Sequence, residues 1–371
     1  MGGMTARKYG PPCRTRANPQ WRCRGLHSGA VKAVVKPSPG PGFELTTVPD
    51  PTPAAGEVVL RVEAASICGT DVHLYEWNPW AASRVRPPRV MGHEMCGEVV
   101  AQGKGAESTK LGSRVAVETH LVCGHCPECR RGDFHVCANT RILGVDVDGA
   151  FAEYVAIPAH NTWPVAPGLP PELGALMEPF GNAAHACSYG RLRSQVVAVF
   201  GCGPIGCMCV GIARAEGAAR IVAIDRNPYR LQLAAAMGAD ATVDAALGDE
   251  AILDAAGGPL DCALEMSGAP AAVVAATHLV RPGGWISLLG IGDAATTLDL
   301  SRDVVMKGLT LYGVTGRRMF STWEQTSAYL ADHRIDVSPL LTHRFDIADI
   351  DDAIQLMRSG QCGKVSLRPS R

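Results

Sequence analysis

No run of roughly 18 or more apolar residues occurs in the sequence, so no helix spanning a bilayer is expected. No basic head leads into an apolar segment with a small-residue cleavage site, so secretion is not expected and a cytoplasmic protein is. Neither sign of charge dominates. The 35 Lys and Arg face 36 Asp and Glu, for a formal charge of −1. That balance argues against a chain built to bind nucleic acid. The 41 glycines and 26 prolines follow no strict period, which excludes a collagen-like chain. Internal repeats of roughly 20–50 residues are missing too.

What remains is an ordinary globular composition, 47% apolar and 19% charged over 371 residues. At about 150 residues per domain, that length fits roughly two or three domains.

Acidic residues are absent before Glu44. Residues 1–30 carry Arg7, Lys8, Arg14, Arg16, Arg22 and Arg24 among Gly and Pro, with no apolar period. Such a segment is expected to have no fold of its own. Three readings are open: an organelle transit peptide, an untargeted tail, or a start called too early. The last rests on Val31-Lys32-Ala33-Val34-Val35, which reads as the first strand of a domain.

Residues 31–175 hold short β-like runs such as Val58–Val62, Gly97–Val100 and Arg114–Val117, heavily punctuated by Gly and Pro. From 176 to 314 the texture changes. The apolar runs Gln195–Phe200, Arg220–Asp225, Cys262–Met266, Trp285–Gly290 and Leu309–Val314 are interleaved with helical stretches at Pro204–Gly217 and Tyr229–Met237. This alternation predicts an α/β fold with a parallel sheet covered on both faces. In the tail, 315–371, Lys364-Val365-Ser366-Leu367 reads as a strand able to return to the first domain.

Gly201-Cys202-Gly203-Pro204-Ile205-Gly206 matches G-x-G-x-x-G between an apolar strand and a helix. Gly201 permits the tight turn, Gly203 a close approach of backbone to a pyrophosphate, and Gly206 close helix–strand packing. Pro204 suits the first helical turn, whose free N–H groups attract phosphate. Asp225 follows Gly206 at roughly the 20-residue distance expected of a ribose-binding acid, which favours NAD over NADP. Arg226 beside it leaves NADP open, and a packing cluster of glycines in an unrelated sheet is the blander reading.

Fourteen cysteines are many, and four lie within 123–137. Cys123, Cys126, Cys129 and Cys137 form C-x2-C-x2-C-x7-C, the spacing of a closed structural zinc site. An iron–sulfur cluster and chance crowding are the alternatives. Elsewhere, Cys68 precedes Gly69-Thr70-Asp71-Val72-His73, His93-Glu94 follows Gly92, and Glu178 precedes Pro179. Singly, each of these is most simply structural. Together they offer the thiolate, imidazole and carboxylate of a catalytic zinc site with one open position. Thr70 and His73, three residues apart, can relay a proton. Arg317 offers a bidentate partner for a substrate carboxylate, or else serves an interface or cofactor loop. His120 either lines the entrance or lies on the surface.

On these motifs the chain resembles the zinc-containing medium-chain dehydrogenase/reductase family over about residues 31–371. The segments 67–77, 178–183, 264–270, 316–320 and 357–361 resemble its threonine-oxidising branch. The resemblance implies a GroES-like β-rich catalytic domain, 31–175 plus 315–371, interrupted by a Rossmann domain at 176–314. It implies oxidation of the L-threonine β-hydroxyl to 2-amino-3-oxobutanoate by NAD, in a homotetramer. A related polyol, diol or secondary-alcohol dehydrogenase is the alternative. Cys68, His93 and Glu94 then correspond to catalytic-zinc ligands. Glu178 replaces Glu94, alternates with it, or tunes the site. Thr70 and His73 correspond to the proton relay. Ile205, Asp225, Arg230, Leu289, Gly290, Ile291, Val314 and Thr315 correspond to NAD-contacting positions. Thr315 stands where an aromatic residue is common, and the first 30 residues are extra.

Overall fold

The computed structural model describes residues 22–23, 29–292 and 294–369. Most of the N-terminal extension therefore lies outside the described residues. Arg22–Cys23 is a two-residue strand, antiparallel to Ala101–Gln102.

The first domain is built on an antiparallel sheet whose two central strands are Glu57–Ser66 and Glu94–Gln102. Both read as near-continuous buried runs, because the sheet is covered on both faces where they lie. Arg114–Val117 and Thr162–Pro164 extend the sheet on one side. On the other side the C-terminal strand Lys364–Arg368 pairs antiparallel with Ala65 and Ser66. Leu341–Asp346 then runs parallel to that tail strand. The chain thus closes on the domain in which it began. A three-stranded sheet of Glu44–Pro49, Ala30–Lys36 and Arg89–Val90 packs beside this core.

The intervening segment forms a six-stranded parallel sheet. Its strands are β1 (Val196–Phe200), β2 (Arg220–Asp225), β3 (Ala241–Asp244), β4 (Leu260–Glu265), β5 (Val280–Leu288) and β6 (Thr310–Gly313). Their spatial order is β3-β2-β1-β4-β5-β6, the doubly wound arrangement with a switch point between β1 and β4. Alternation along the strands divides the core. Val197, Val199, Ile221 and Ala223 join one apolar cluster, while Ala198, Phe200, Val222 and Ile224 join the other. Both faces must therefore be covered by helices, as the apolar runs predict.

Candidate active site and cofactor cleft

The reactive centre follows from one strand register. Ser66 and Glu94 are direct cross-strand partners. The chain leaves the first strand through Ile67-Cys68 and enters the second through Gly92-His93. The metal-binding atoms of Cys68, His93 and Glu94 consequently lie within 4.8 Å of one another. Cys68 caps the helix Gly69–Glu76, and its N–H donates to Asp71 Oδ2 at 2.9 Å. Gly92 has φ +89°, and a Cβ there would lie 2.2 Å from the Phe151 ring, so only glycine turns His93 into the site.

The polar groups around these three residues are buried and unevenly satisfied. Glu94 Oε2 accepts from Ser66 Oγ and Lys364 Nζ, and Lys364 also donates to Ile67 O at 2.8 Å. Glu94 Oε1 and His93 Nδ1 have no hydrogen-bond partner. Burial disfavours the charged form of His93, but Asp71, whose Oδ1 is 3.6 Å from Nδ1, and Cys68 together outweigh it and raise the imidazole pKa. Burial likewise opposes the Lys364 charge, and Glu94 more than restores it. An orphaned carboxylate oxygen and ring nitrogen beside a thiol are groups a cation would satisfy. The sulfur, nitrogen and oxygen donors suit zinc.

Glu178 is not in that cluster. It stands in the first turn of the helix Met177–Ala186, and its Oε1 accepts from Arg317 Nη1 at 2.5 Å and Thr119 Oγ1 at 3.2 Å. Arg317 is only 1% exposed. Its Nε donates to Glu118 Oε2 at 2.9 Å, Nη2 to Glu118 Oε1, and Nη1 to Asn182 Oδ1 at 3.2 Å. Gly181 makes the room, because a Cβ there would lie 2.7 Å from Arg317 Cδ. The expectation that Arg317 binds a substrate carboxylate is therefore corrected. Its guanidinium is already spent on Glu118 and Glu178, inside the protein. His120 is part-buried rather than a surface group, and its Nδ1 is buried without a partner. Burial, and then Arg317, push the His120 pKa down to about 4, so the ring is neutral.

The four-cysteine lobe forms as its spacing requires. The four sulfurs lie within 4.8 Å of one another, with Sγ separations of 3.6 Å for Cys123–Cys137 and 3.8 Å for Cys126–Cys137. Zinc–sulfur bonds of about 2.3 Å in a tetrahedron place sulfurs about 3.8 Å apart. Backbone N–H groups of Cys126, Cys129 and Cys123 point at Sγ of Cys123, Cys126 and Cys137 at 3.4, 3.5 and 3.4 Å. Hydrogen bonds from the His125 backbone and the Asn139 side chain lower the Cys123 pKa to about 5, which favours the thiolate a metal binds. None of the four is in a disulfide.

The third feature is a cleft of about 920 Å³ at the carboxyl ends of β1 and β2, lined by Gly201, Gly203, Asp225, Asn227, Arg230 and Ser267 among others. The three fingerprint glycines differ in what surrounds them. A Cβ on Gly206 would lie 1.9 Å from Gly201 O, and one on Gly201 would lie 2.8 Å from Ser267. A Cβ on Gly203 would meet nothing within 4 Å, because it would project into the cleft. Pro204 opens the helix Pro204–Ala215, with Ile205 in its first turn. Asp225 accepts from Cys202 N at 2.7 Å and Asn227 N at 2.8 Å, so it also ties β2 to the glycine turn. Arg230 Nε is buried and unpaired at the same cleft.

Two family models match in sequence order. An alcohol dehydrogenase GroES-like domain covers residues 54–167, and a zinc-binding dehydrogenase domain covers 204–332. A Symbiobacterium thermophilum protein named L-threonine 3-dehydrogenase is 48% identical over 343 residues, covering 91% of this chain and 98% of the relative. The chain belongs to the zinc-containing medium-chain dehydrogenase/reductase family. A Bacillus licheniformis protein of the same name is 46% identical, covering 92% of this chain and 99% of the relative. An alcohol dehydrogenase of Escherichia coli CFT073, solved with NADH, superposes with a TM-score of 0.84 at 30% identity, covering 91% of this chain and 99% of that one.

As a medium-chain dehydrogenase, the chain is a GroES-like β-rich domain joined to a Rossmann-like one. It is an oxidoreductase acting on CH–OH groups with zinc and a nicotinamide dinucleotide. Thr70 is half-buried and His73 exposed on the helix that Cys68 caps. Leu289, Gly290 and Ile291 follow β5, with Ile291 95% exposed. Val314, which follows β6, donates its N–H to Leu288 O at 2.9 Å, and the exposed Thr315 comes next. Sequence reasoning missed Ser66, Glu118 and Lys364, which have no local signal. It also missed Asp71, which the capping-box spacing from Cys68 marks.

Proposed function

We propose that this chain oxidises the β-hydroxyl of L-threonine to 2-amino-3-oxobutanoate, with NAD as the hydride acceptor. The observation that carries the reading is the convergence of Cys68, His93 and Glu94 on one strand register, in a chain that also offers a dinucleotide cleft with Asp225 at the end of β2. The choice of threonine rests on the relatives bearing that name.

Cys68, His93 and Glu94 would hold zinc, which when bound would supply Lewis-acid polarisation of the hydroxyl, and NAD in the cleft would supply the hydride acceptor. The chain's own residues do the rest. Asp71 orients His93 from behind, and Lys364 and Ser66 fix one oxygen of Glu94 while leaving the other free. Glu178 is held by Arg317 and Thr119 as a tuning carboxylate. The hydroxyl proton passes to the half-buried Thr70 and on to the exposed His73, one helical turn further, and so to water. Asp225 accepts from the adenosine ribose hydroxyls, and Gly203 leaves room for the pyrophosphate. Ile205, Arg230, Leu289, Gly290, Ile291, Val314 and Thr315 line the rest of the cofactor's path. Cys123, Cys126, Cys129 and Cys137 would hold a second, structural zinc.

We also infer a cytoplasmic homotetramer. The exposed apolar residues Leu300, Val305 and Met306 beside the edge strand β6 support association, which light scattering would measure. Among the described residues, no helix is long and apolar enough to cross a membrane.

The test is NADH formation by zinc-loaded protein with L-threonine, L-allo-threonine, D-threonine, L-serine, sorbitol and 2,3-butanediol, each with NAD and with NADP. Strong preference for L-threonine and NAD is expected. Turnover of a diol or polyol without threonine would overturn the substrate and keep the site.

A further inference from the structure

The helix Met177–Ala186 presents one face to a single segment. Glu178, Gly181, Asn182 and His185 stand at i, i+3, i+4 and i+7, which one helical face collects. The first three deal with Arg317: Glu178 and Asn182 accept from it, and Gly181 leaves it space. His185, 1% exposed, grips the residue before it. His185 Nδ1 lies 2.9 Å from Gly316 O, and Nε2 lies 3.0 Å from Tyr312 Oη.

The donor directions in this contact are determined. A carbonyl oxygen only accepts, so Nδ1 carries the proton. Burial pushes the His185 pKa down to about 4, so the ring is neutral and Nε2 is an acceptor. Tyr312 must then donate to Nε2, which leaves its oxygen free to accept from Arg318 Nη2 at 2.9 Å. Arg318 Nε also approaches Nε2 at 3.4 Å, consistent with an acceptor there. The hydrogen bonds run from Arg318 through Tyr312 and His185 to the accepting carbonyl of Gly316, and so close on one loop. Gly316 has φ +59°, and a Cβ there would lie 2.6 Å from the His120 ring, so this turn has no slack toward the reactive centre. On the outer side the His135 ring of the four-cysteine lobe stands edge-on to His185, with centroids 5.0 Å apart at 86°.

We infer that His185 is a positioning residue that locks segment 312–318 onto the helix carrying Glu178, and so fixes Val314 and Thr315 for the cofactor. The inference rests on the reading that Val314 and Thr315 contact NAD. Loosening the lock is expected to weaken cofactor binding without removing any group that touches the reacting atoms. His135 extends the lock to the four-cysteine lobe.

The experiment uses the full-length zinc-loaded enzyme with His185→Ala, His185→Asn and Tyr312→Phe. NADH affinity is read by nucleotide fluorescence, with KM for NAD, kcat and thermal midpoint alongside. His185→Ala is expected to raise the NADH dissociation constant and KM about three- to tenfold, the effect of one neutral hydrogen bond, with kcat changed less. His185→Asn keeps a donor where Nδ1 stood and is expected to recover most of the affinity. Tyr312→Phe, which spares the bond to Gly316, is expected to cost less than His185→Ala. If His185→Ala does not fold, His185→Asn and Tyr312→Phe still decide: NADH affinity graded with what each retains supports the lock. Lower thermal midpoints with wild-type NADH affinity in every folded variant would overturn it. Wild-type enzyme that does not bind NADH would instead overturn the cofactor reading itself.

Discussion

Arg317 and Glu118, 199 residues apart in sequence, form a two-point ion pair in the interior, with Arg317 Nε 2.9 Å from Glu118 Oε2. Burial works against both charges, yet their attraction outweighs it, holding Glu118 below the usual carboxylate range and Arg317 above its own. Trp323 Nε1, 2.8 Å from the same Oε2, and the His120 N–H, 2.9 Å from Oε1, complete the carboxylate's shell. The pair joins the strand leading to the cysteine lobe to the segment after the nucleotide sheet, and the same guanidinium reaches Glu178 on the helix Met177–Ala186.

Removing the guanidinium strands two buried carboxylates, Glu118 and Glu178. Arg317→Met is therefore expected to lower unfolding free energy by about 3–5 kcal/mol, the usual cost of breaking a buried pair. Denaturant unfolding measures this. Adding Glu118→Gln should recover part of the loss, because a neutral amide tolerates the site better than an unpaired charge. Additive losses in the double variant would mean that the two residues do not interact in solution.

Two glycines of one fingerprint should fail in different ways. Gly206→Ala places a methyl 1.9 Å from Gly201 O, a backbone atom that cannot move without opening the turn. It is expected to lower the thermal midpoint and NAD binding together. Gly203→Ala meets no protein atom, so its midpoint should equal that of wild type while NADH affinity falls tenfold or more, by about 1.4 kcal/mol. Calorimetry and nucleotide fluorescence on the pair separate the fold from the ligand. An unchanged affinity in Gly203→Ala would move the pyrophosphate elsewhere.

The two metal sites should come apart in the same manner. Cys126 is 7% exposed in a lobe whose small apolar cluster consists of the cysteines with Val122 and Phe134. So little packing cannot order the lobe without the metal. Cys126→Ser is expected to lose one zinc per chain by elemental analysis and to melt earlier. Cys68→Ser should keep the lobe's zinc and NADH binding and lose turnover. Full turnover in Cys68→Ser would remove it from the reaction.

The features legible beforehand are those whose partners are close in sequence. The four lobe cysteines need only a turn, and the glycine fingerprint declares itself between one strand and one helix. β1 and β2 were visible because both faces of each strand are buried. β3 was not, since it lies at the sheet edge and only Val243 among its four residues is buried. Glu57–Ser66 reads short as Val58–Val62, because Glu57 and Glu63 bound that run. The reach of Lys364 to Glu94, across 270 residues, leaves no period or motif behind. For the same reason the role of Arg317 stayed open between a substrate carboxylate and an interface or cofactor loop. A guanidinium near a reactive centre looks available until the fold reveals Glu118 and Glu178 around it.

Acid should destabilise the protein earlier than its carboxylates alone would. The folded pKa of His120 is pushed down to about 4 by burial and by Arg317, against about 6.5 in an unfolded chain. Between those values the unfolded state binds more protons, so stability rises with pH across the window. The contribution is complete above about pH 6.5 and is lost as pH falls toward 4, up to about 3 kcal/mol for a shift of this size. Glu118 and Glu178 face the ring as partial compensation, while Arg317 and His93 repel a proton there. His120→Gln cannot take up that proton, so its unfolding free energy should fall less steeply from neutral pH to pH 4. Urea unfolding at closely spaced pH values reads the slope directly. His185, whose pKa is also about 4, acts with the same sign, so the variant should flatten the slope without abolishing it. A slope identical to wild type would mean that His120 takes up its proton in the folded protein as readily as in the unfolded chain.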